Sequence, residues 1–250
     1  MQPRPVTDLP SIELSSVIFA TIAFSIRVYV QKNGPIPFSR QILRINSAIY
    51  SIVSLFFVLQ IGGLILRLLG TSSALDIQET AHKILLQPST DPKDEALRYL
   101  YHLSKFWEYV DIFNVLATGG SIGIQFSFHH LTTPYLTYAR ALTSPAGWQI
   151  FALFNALHHM LMYAAIAGVD DFVGVDIFPY ILPYTLYFQL VVGIAVEAWI
   201  VKVRTIGKEA TWETWYPIWP NILCAVLLAI YAGLFVRDAM LEKKQKSKEE

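Results

Sequence analysis

Charged residues are scarce in this chain. Only 15% of its 250 residues are Asp, Glu, Lys or Arg, whereas soluble domains carry about a quarter. Long runs contain no charge at all: 45–66, 112–139, 141–169, 177–196 and 214–236. About 20 apolar residues cross a bilayer as a helix, and these runs do not alternate between polar and apolar residues as barrel strands do. The scarcity of charge disfavours a soluble domain and predicts an all-α membrane protein.

Cysteine is almost absent as well. Cys224 alone lies in the last apolar run, so an internal disulfide is excluded, and nothing nearby indicates an activated thiolate. Condensing enzymes of the thiolase type, which need a catalytic cysteine, are therefore disfavoured. The last run, from Tyr216 to Val236, also lacks a lysine for a retinal Schiff base. The net charge is zero, which gives no reason to expect nucleic acid as a partner.

The apolar runs predict a polytopic bundle of about seven transmembrane helices, forming a single domain over residues 1–250. The predicted helices are 12–30, 45–68, 97–118, 121–142, 147–168, 174–201 and 216–237. No A-x-A-like cleavage site follows the first run, so we interpret it as a retained helix. Within the one long polar connection, Asp76 to Gln87 predicts a short interfacial helix that ends at Pro88.

Basic residues at the two ends of the chain predict its orientation. With seven spans, the first loop and the charged tail, 238–250, share one side, and both are basic. We therefore expect both in the cytosol. The final residues, Lys246-Ser-Lys248-Glu-Glu250, fit a KxKxx retrieval signal. This predicts a multi-pass protein of the endoplasmic reticulum membrane, although an ordinary solvated basic tail is an alternative.

Three ionisable residues fall within the predicted third helix. Lys105, Glu108 and Asp111 are spaced at i, i+3 and i+6, so they share one face of a helix. Each ionisable side chain at bilayer depth costs about 2.5–3.5 kcal/mol on insertion scales. We expect Lys105 and Glu108 to pair, which offsets part of that cost. The pair can serve either to lock the helix into the bundle or to support a functional site.

Histidines occur in two adjacent pairs on consecutive predicted helices. His129 and His130 lie in the fourth helix, and His158 and His159 in the fifth. Pro134 removes the backbone donor for the carbonyl of His130, which predicts a kink at that pair. Two pairs on antiparallel neighbours predict one shared site.

A polar stripe on the fifth helix accompanies the second pair. Asn155, His159 and Tyr163 recur at i, i+4 and i+8. Membrane desaturases and hydroxylases build a di-iron centre from histidine boxes, but the six histidines of this chain are too few. We therefore predict no metal, and an imidazole that acts as a nucleophile or general base.

Three segments resemble the motifs of one enzyme family, in the same order and at similar spacing. They are Lys105-Phe-Trp-Glu108-Tyr-Val-Asp111, similar to a KxxExxD motif; Phe126-Ser-Phe-His129-His130, at the place of an HxxHH box; and Asn155-Ala-Leu-His-His159-Met-Leu-Met162-Tyr163, similar to an NxxxHxxMY motif. The family is ELO, the very-long-chain 3-oxoacyl-CoA synthases or fatty-acid elongases. The seven-helix plan extends the resemblance over most of the chain.

The resemblance implies an acyltransferase that condenses acyl-CoA with malonyl-CoA and gives 3-oxoacyl-CoA, CO2 and CoA, without a cofactor. The acyl chain would first pass to His129, with His130 beside it. His159 would bind or activate the thioester, and Asn155 would orient it. Residues for substrate binding or structural support would be Lys105, Glu108, Asp111, Tyr163 and Gln189. Expected partners are the two CoA thioesters, the bilayer, and either a second copy of the chain or other enzymes of the elongation cycle.

Three departures from the family pattern keep an alternative open. Phe126 stands where the box has its first histidine, and Thr185 and Gln189 are out of register with a TxxQxxQF motif. Ala117-Thr-Gly-Gly120 replaces a basic cluster after the third helix. The alternative is a catalytically silent relative that binds lipid or serves as a subunit of a membrane complex.

Overall fold

The computed structural model of the chain describes residues 5–70, 77–87, 91–174, 177–209 and 211–249, and all regular structure within these ranges is helical. The helices are α1 (Leu9–Asn33), α2 (Ser39–Gly70), α3 (Ile77–Leu86), α4 (Pro92–Trp107), α5 (Tyr109–Ala117), α6 (Ile124–Thr137), α7 (Trp148–Ala167), α8 (Val169–Val173), α9 (Phe178–Thr205), α10 (Trp212–Trp215) and α11 (Trp219–Glu249). A π-helical turn, Tyr138–Thr143, continues α6, and a 3₁₀ turn, Tyr216–Ile218, joins α10 to α11. The predicted all-α class is confirmed for this part of the chain.

Within the described residues, five helices are long and apolar enough to cross a membrane. They are α1, α2, α7, α9 and the unit Trp212–Leu241 formed by α10, the 3₁₀ turn and most of α11. The other two predicted spans, 97–118 and 121–142, are divided into α-helices of 16, 9 and 14 residues, each shorter than a typical span. Five spans are therefore supported by length and composition, and the count of seven stays a prediction.

The predicted third helix is divided at Glu108. The backbone N–H of Asp111 bonds the carbonyl of Glu108 at 3.2 Å, a bond to the third preceding residue that tightens the chain between α4 and α5. The predicted fourth helix ends in a π-helical turn, and the kink predicted at the histidine pair stays a prediction. It stays α-helical through His129 and His130, and the π-helical turn begins at Tyr138, after Pro134.

Helix ends follow the local sequence. The carboxylate of Asp8 accepts the N–H of Ser11 at 2.8 Å at the start of α1, and this bond lowers the pKa of Asp8. Asp91 caps α4 in the same way, with proline at the first helical position. Gly168 ends α7 with a φ of 85°, a conformation that favours glycine.

The bundle has two distinct ends. One end, which we call the tail end, contains residues 34–38, 118–123 and 168–174 and the start of the charged tail. The carboxylate of Asp238 lies close to Gly123 there. An exposed aromatic group marks the opposite end: Trp212, Trp215, Tyr216 and Trp219. Tyr180 and Tyr184, also exposed, lie near the tail end. Such aromatic belts are typical of the two membrane interfaces.

The polar connection and the tail are described only in part. The helix predicted between Asp76 and Gln87 is present as α3, and its interfacial position stays a prediction. Asp76 and Pro88 lie outside the described residues. α11 continues through residues 238–249 without a break. The side chains of Lys246 and Lys248, and all of Glu250, lie outside the described part.

Candidate active site

A cavity of about 610 Å³ lies between α6, α7, α9 and α11. On α6 its lining extends from Gln125 to Thr137, which at 1.5 Å per residue is roughly 18 Å. At the tail end its lining residues Pro179, Pro183 and Ala239 are exposed, so the mouth opens there. The lining of the opposite end is mostly apolar and includes Leu136, Phe151, Leu190 and Leu228. This division suits a ligand with a polar head and an apolar tail.

Both histidine pairs line this one cavity. His129 and His130 reach it from α6, and His158 and His159 from α7. The ring of His130 packs edge-on against Phe126, with centroids 4.4 Å apart. The Nδ1 atoms of His129 and His130 are buried and have no hydrogen-bond partner among the described residues. The placement is the one that the two pairs predicted, and both rings of α6 keep unused hydrogen-bonding capacity.

Glu108 joins the predicted ion pair to the second histidine pair. Its Oε1 atom accepts a hydrogen bond from Lys105 Nζ at 2.6 Å and one from the Tyr50 hydroxyl at 2.9 Å. His159 Nδ1 lies 3.1 Å from the same oxygen. Because an ionised carboxylate can only accept hydrogen bonds, His159 carries a proton on Nδ1. In the neutral ring, Nε2 then holds the lone pair of a nucleophile or base.

Asn155 ties the helices around the cavity together. Its Oδ1 atom accepts hydrogen bonds from Lys105 Nζ and from the Tyr101 hydroxyl, both at 2.7 Å. Its Nδ2 atom donates to Gln189 Oε1 at 3.1 Å. Gln189 is therefore in the network although its sequence register departs from the motif.

Asp111 and Tyr163 lie outside the cavity wall. Asp111 accepts hydrogen bonds from the Tyr163 hydroxyl and, at 3.0 Å, from Asn46 Nδ2. Among the nine predicted site residues, six line the cavity: Lys105, His129, His130, Asn155, His159 and Gln189. Glu108 does not line the cavity but contacts two residues that do, Lys105 and His159. Tyr50 connects Glu108 to the Asp111–Tyr163 pair, because its hydroxyl bonds Glu108 and its ring centroid lies 4.5 Å from that of Tyr163.

Sequence reasoning missed the partners that α2 contributes. Asn46 and Tyr50 bind Asp111 and Glu108, and they are one turn apart on a buried face that also carries Ser54. These three polar residues recur at i, i+4 and i+8 in a charge-free run, and this pattern could have indicated the buried polar face of α2. Tyr101, which binds Asn155, precedes Lys105 by four residues and could have been found in the same way.

Three of these groups have the composition of a metal site. Glu108, His129 and His159 each offer one ligand atom, and the three atoms lie within 4.8 Å of one another. However, Lys105 Nζ already neutralises the Glu108 oxygen at 2.6 Å, so a metal ion would have to compete with the ammonium group. The arrangement favours acid–base chemistry, and the predicted absence of metal stays a prediction.

Comparison with known proteins gives one match. A family model described as ELO, the GNS1/SUR4 family, matches residues 6–248, nearly the whole chain. No curated protein and no solved structure matches. The matched range includes all three motifs and nearly all of the helices that contribute to the cavity wall.

Proposed function

The chain belongs to the ELO (GNS1/SUR4) family, and we propose that it catalyses the condensation step of fatty-acid elongation. Family membership and five apolar helices indicate a multi-pass membrane protein with a function related to fatty-acid elongation. The observation that carries the finer proposal is the convergence of two histidine pairs on one amphiphilic cavity, with His159 held by Glu108. The substrates are acyl-CoA and malonyl-CoA, and no cofactor takes part.

In the first step the acyl group passes to His129. The acyl tail occupies the apolar half of the cavity, and the CoA portion lies at the mouth. The Nε2 atom of His129 attacks the thioester carbon, because the Nδ1 atom of this ring is buried. A bond forms between nitrogen and the acyl carbon, and the bond from that carbon to sulfur breaks. The acylated ring keeps its Nδ1 proton and is therefore cationic, and the nearby carboxylate of Glu108 stabilises this charge. CoA leaves as a thiolate, which takes a proton from water at the mouth.

In the second step malonyl-CoA replaces CoA at the mouth. Its carboxylate leaves as CO2, and the electron pair of the broken bond forms a carbon–carbon bond to the acyl carbon. The bond from that carbon to His129 breaks, and its electron pair returns to Nε2, so the ring is neutral again. Asn155, fixed by Tyr101 and Gln189, orients the thioester, and Lys105 and Glu108 hold Asn155 and His159 in place.

The direct test is an activity assay on the purified protein in lipid nanodiscs. Acyl-CoA and malonyl-CoA labelled in the carboxylate should release labelled CO2 only when both substrates are present. Expression in cells that lack their own elongases should then yield longer fatty acids, which identify the chain length. The absence of product with saturated and unsaturated acyl-CoAs of every length would contradict the proposal.

A catalytically silent relative that binds lipid or serves in a membrane complex is the second candidate. Phe126 favours it, because this apolar ring against His130 replaces the first histidine of the box. A silent relative would bind an acyl-CoA without releasing CoA. Phe126→His would raise the activity of an impaired enzyme, and it would leave a silent binding protein unchanged.

We further propose that the protein resides in the membrane of the endoplasmic reticulum with its C-terminus in the cytosol. The cavity opens at the tail end, where this orientation meets cytosolic CoA thioesters. Self-association into a homodimer, or association with other enzymes of the elongation cycle, would pass the 3-oxoacyl product to the next step.

A further inference from the structure

His158 lines the cavity, but the mechanism proposed above gives it no role. Its sequence position, one residue before the motif histidine, predicted only a minor contribution. The side chain is buried and belongs to the cavity wall. Its ring centroid is 6.0 Å from that of His159, and both rings line the same cavity.

One neighbouring hydroxyl orients this ring. His158 Nδ1 lies 2.9 Å from Thr185 Oγ1, and the same oxygen lies 3.1 Å from the carbonyl of Leu182. Both Nδ1 and the carbonyl can accept the single hydroxyl proton of Thr185. When the proton points to Nδ1, the neutral ring of His158 carries its own proton on Nε2. No hydrogen bond from a described residue occupies Nε2, so this atom can donate to a ligand in the cavity.

The opposite wall explains why a further donor is needed. Phe126 brings an apolar ring to the position at which the three-histidine pattern supplies an imidazole. His129 is committed to the acyl group, and the Nδ1 proton of His159 is committed to Glu108. The step that breaks the malonyl carbon–carbon bond places negative charge on the thioester oxygen. A donor aimed at such an oxygen is a large contribution to catalysis.

We infer that His158 is a further catalytic residue, which donates a hydrogen bond from Nε2 to the thioester oxygen of malonyl-CoA as CO2 leaves. Thr185 is its positioning residue, since a hydroxyl that donates to Nδ1 leaves the ring proton on Nε2. No proton is transferred in this interaction. The charge that develops on oxygen returns to the carbon when the new carbon–carbon bond forms. The inference rests on the proposed function and assigns one of its steps to a residue at a variable position of the NxxxHxxMY motif.

Two substitutions separate this role from a structural link between α7 and α9. His158→Asn places an amide near the position of Nδ1 and keeps the bond to Thr185, whereas His158→Gln places one near Nε2. Removing one such donor reduces the rate by about 10²–10³-fold. We expect a loss of that size in the condensation rate of His158→Asn at saturating malonyl-CoA, and a smaller loss in His158→Gln. Thr185→Val should also be slow, and Thr185→Ser should restore the rate.

Transfer of the acyl group provides the internal control. Acyl-CoA alone should still release CoA in His158→Asn, because the first step does not use this residue. An unchanged condensation rate in His158→Asn would mean that His158 is only a structural link, and this result would overturn the inference. Equal loss of both steps would also overturn it. Failure of the proposed function itself is distinguishable, since the unaltered protein would then release neither CoA nor CO2.

Discussion

Glu108 is the residue on which the charge balance of the site depends. The residue is fully buried, and one of its oxygens accepts hydrogen bonds from Lys105 and Tyr50 and lies within hydrogen-bonding distance of His159. The other oxygen has no partner among the described residues. A buried carboxylate that loses its counter-ion is costly, so these residues should respond to substitution as a unit.

We expect removal of either partner of this ion pair to be strongly destabilising. Lys105→Met leaves the carboxylate of Glu108 unpaired, and Glu108→Gln leaves the ammonium group unpaired, at about 3–5 kcal/mol each. The double variant should recover much of that loss, since neither charge remains. Thermal unfolding in detergent measures the effect, and Lys32→Met, on an exposed lysine of α1, is the control. Additive losses in the double variant would show that the two charges do not depend on each other.

The same cluster allows a test of metal content. Since Lys105 already neutralises Glu108, we expect purified active protein to contain no stoichiometric iron or zinc, and chelators to leave the activity intact. Elemental analysis by mass spectrometry gives the content directly. Metal near one equivalent per chain, lost together with activity, would assign Glu108, His129 and His159 as ligands instead.

At the scale of elements, α7 and α9 close the inner end of the cavity. A Cβ atom on Gly193 would lie 3.0 Å from the ring of Phe151, so the two helices are in close contact there. Leu136, Thr137 and Phe151 separate the cavity from a small void of about 10 Å³, beyond which lie Arg140 and Glu197. We expect this wall to limit the length of the acyl chain that the cavity can hold.

Removing a large side chain from this wall should lengthen the fatty acids that are formed. Phe151→Ala removes a ring between the cavity and the void, and we expect the longest fatty acid formed to gain carbon atoms in two-carbon steps. Gas chromatography of cellular fatty acids measures the change. Phe154→Ala is the matched control, because Phe154 is on the same helix, packs against Phe188 and does not line the cavity. Identical product lengths in both variants would place the limit elsewhere.

The long apolar runs predicted most helices, because a backbone in lipid has no water to bond and must satisfy its own N–H and C=O groups. The division of the third helix at Glu108 was not predictable in the same way, since it accompanies bonds from Tyr50, which is distant in sequence. The three motifs predicted the part of the cavity wall that carries the histidines, whereas the parts formed by α9 and α11 lie outside the motifs. The inclusion of Gln189 depends on how α9 packs against α7, which one sequence does not reveal.

A second buried charge cluster was missed altogether. Arg140 separates two charge-free runs and lies near the end of the predicted helix 121–142. In the structure Arg140 Nε bonds Glu197 Oε1 at 2.7 Å, and Asn221 Nδ2 bonds Glu197 Oε2 at 2.6 Å. Arg140 also donates to the carbonyls of Ser144 and Ala146. These contacts hold the π-helical turn against α9 and α11, and they depend on residues that are far apart in the sequence.

For the whole molecule, the orientation in the membrane decides which compartment supplies the substrates. With the tail end in the cytosol, a tag fused after Glu250 should be digested by protease in sealed microsomes. A glycosylation site engineered near Ser73, outside the described residues, should be modified. A protected tag would reverse the orientation and place the mouth of the cavity in the lumen.

Retention is a separate property of the tail. We expect replacement of Lys246 and Lys248 by serine to let the protein leave the endoplasmic reticulum, because the KxKxx pattern is lost. Replacing Lys243 and Lys244 removes the same charge without touching the pattern and is the control. Fluorescence microscopy reads the outcome. Unchanged retention would mean that the tail is an ordinary solvated segment.

The measurement that tests the central claim most directly is the mass of the intact protein after incubation with acyl-CoA alone. The two-step mechanism predicts one added acyl group per chain, release of one equivalent of CoA, and an adduct that peptide mapping places on His129. Malonyl-CoA should then remove the adduct, and His129→Ala should form neither adduct nor product. An adduct on His130 or His159 would move the nucleophile, and full activity of His129→Ala, or the absence of any adduct and any condensation, would contradict the account.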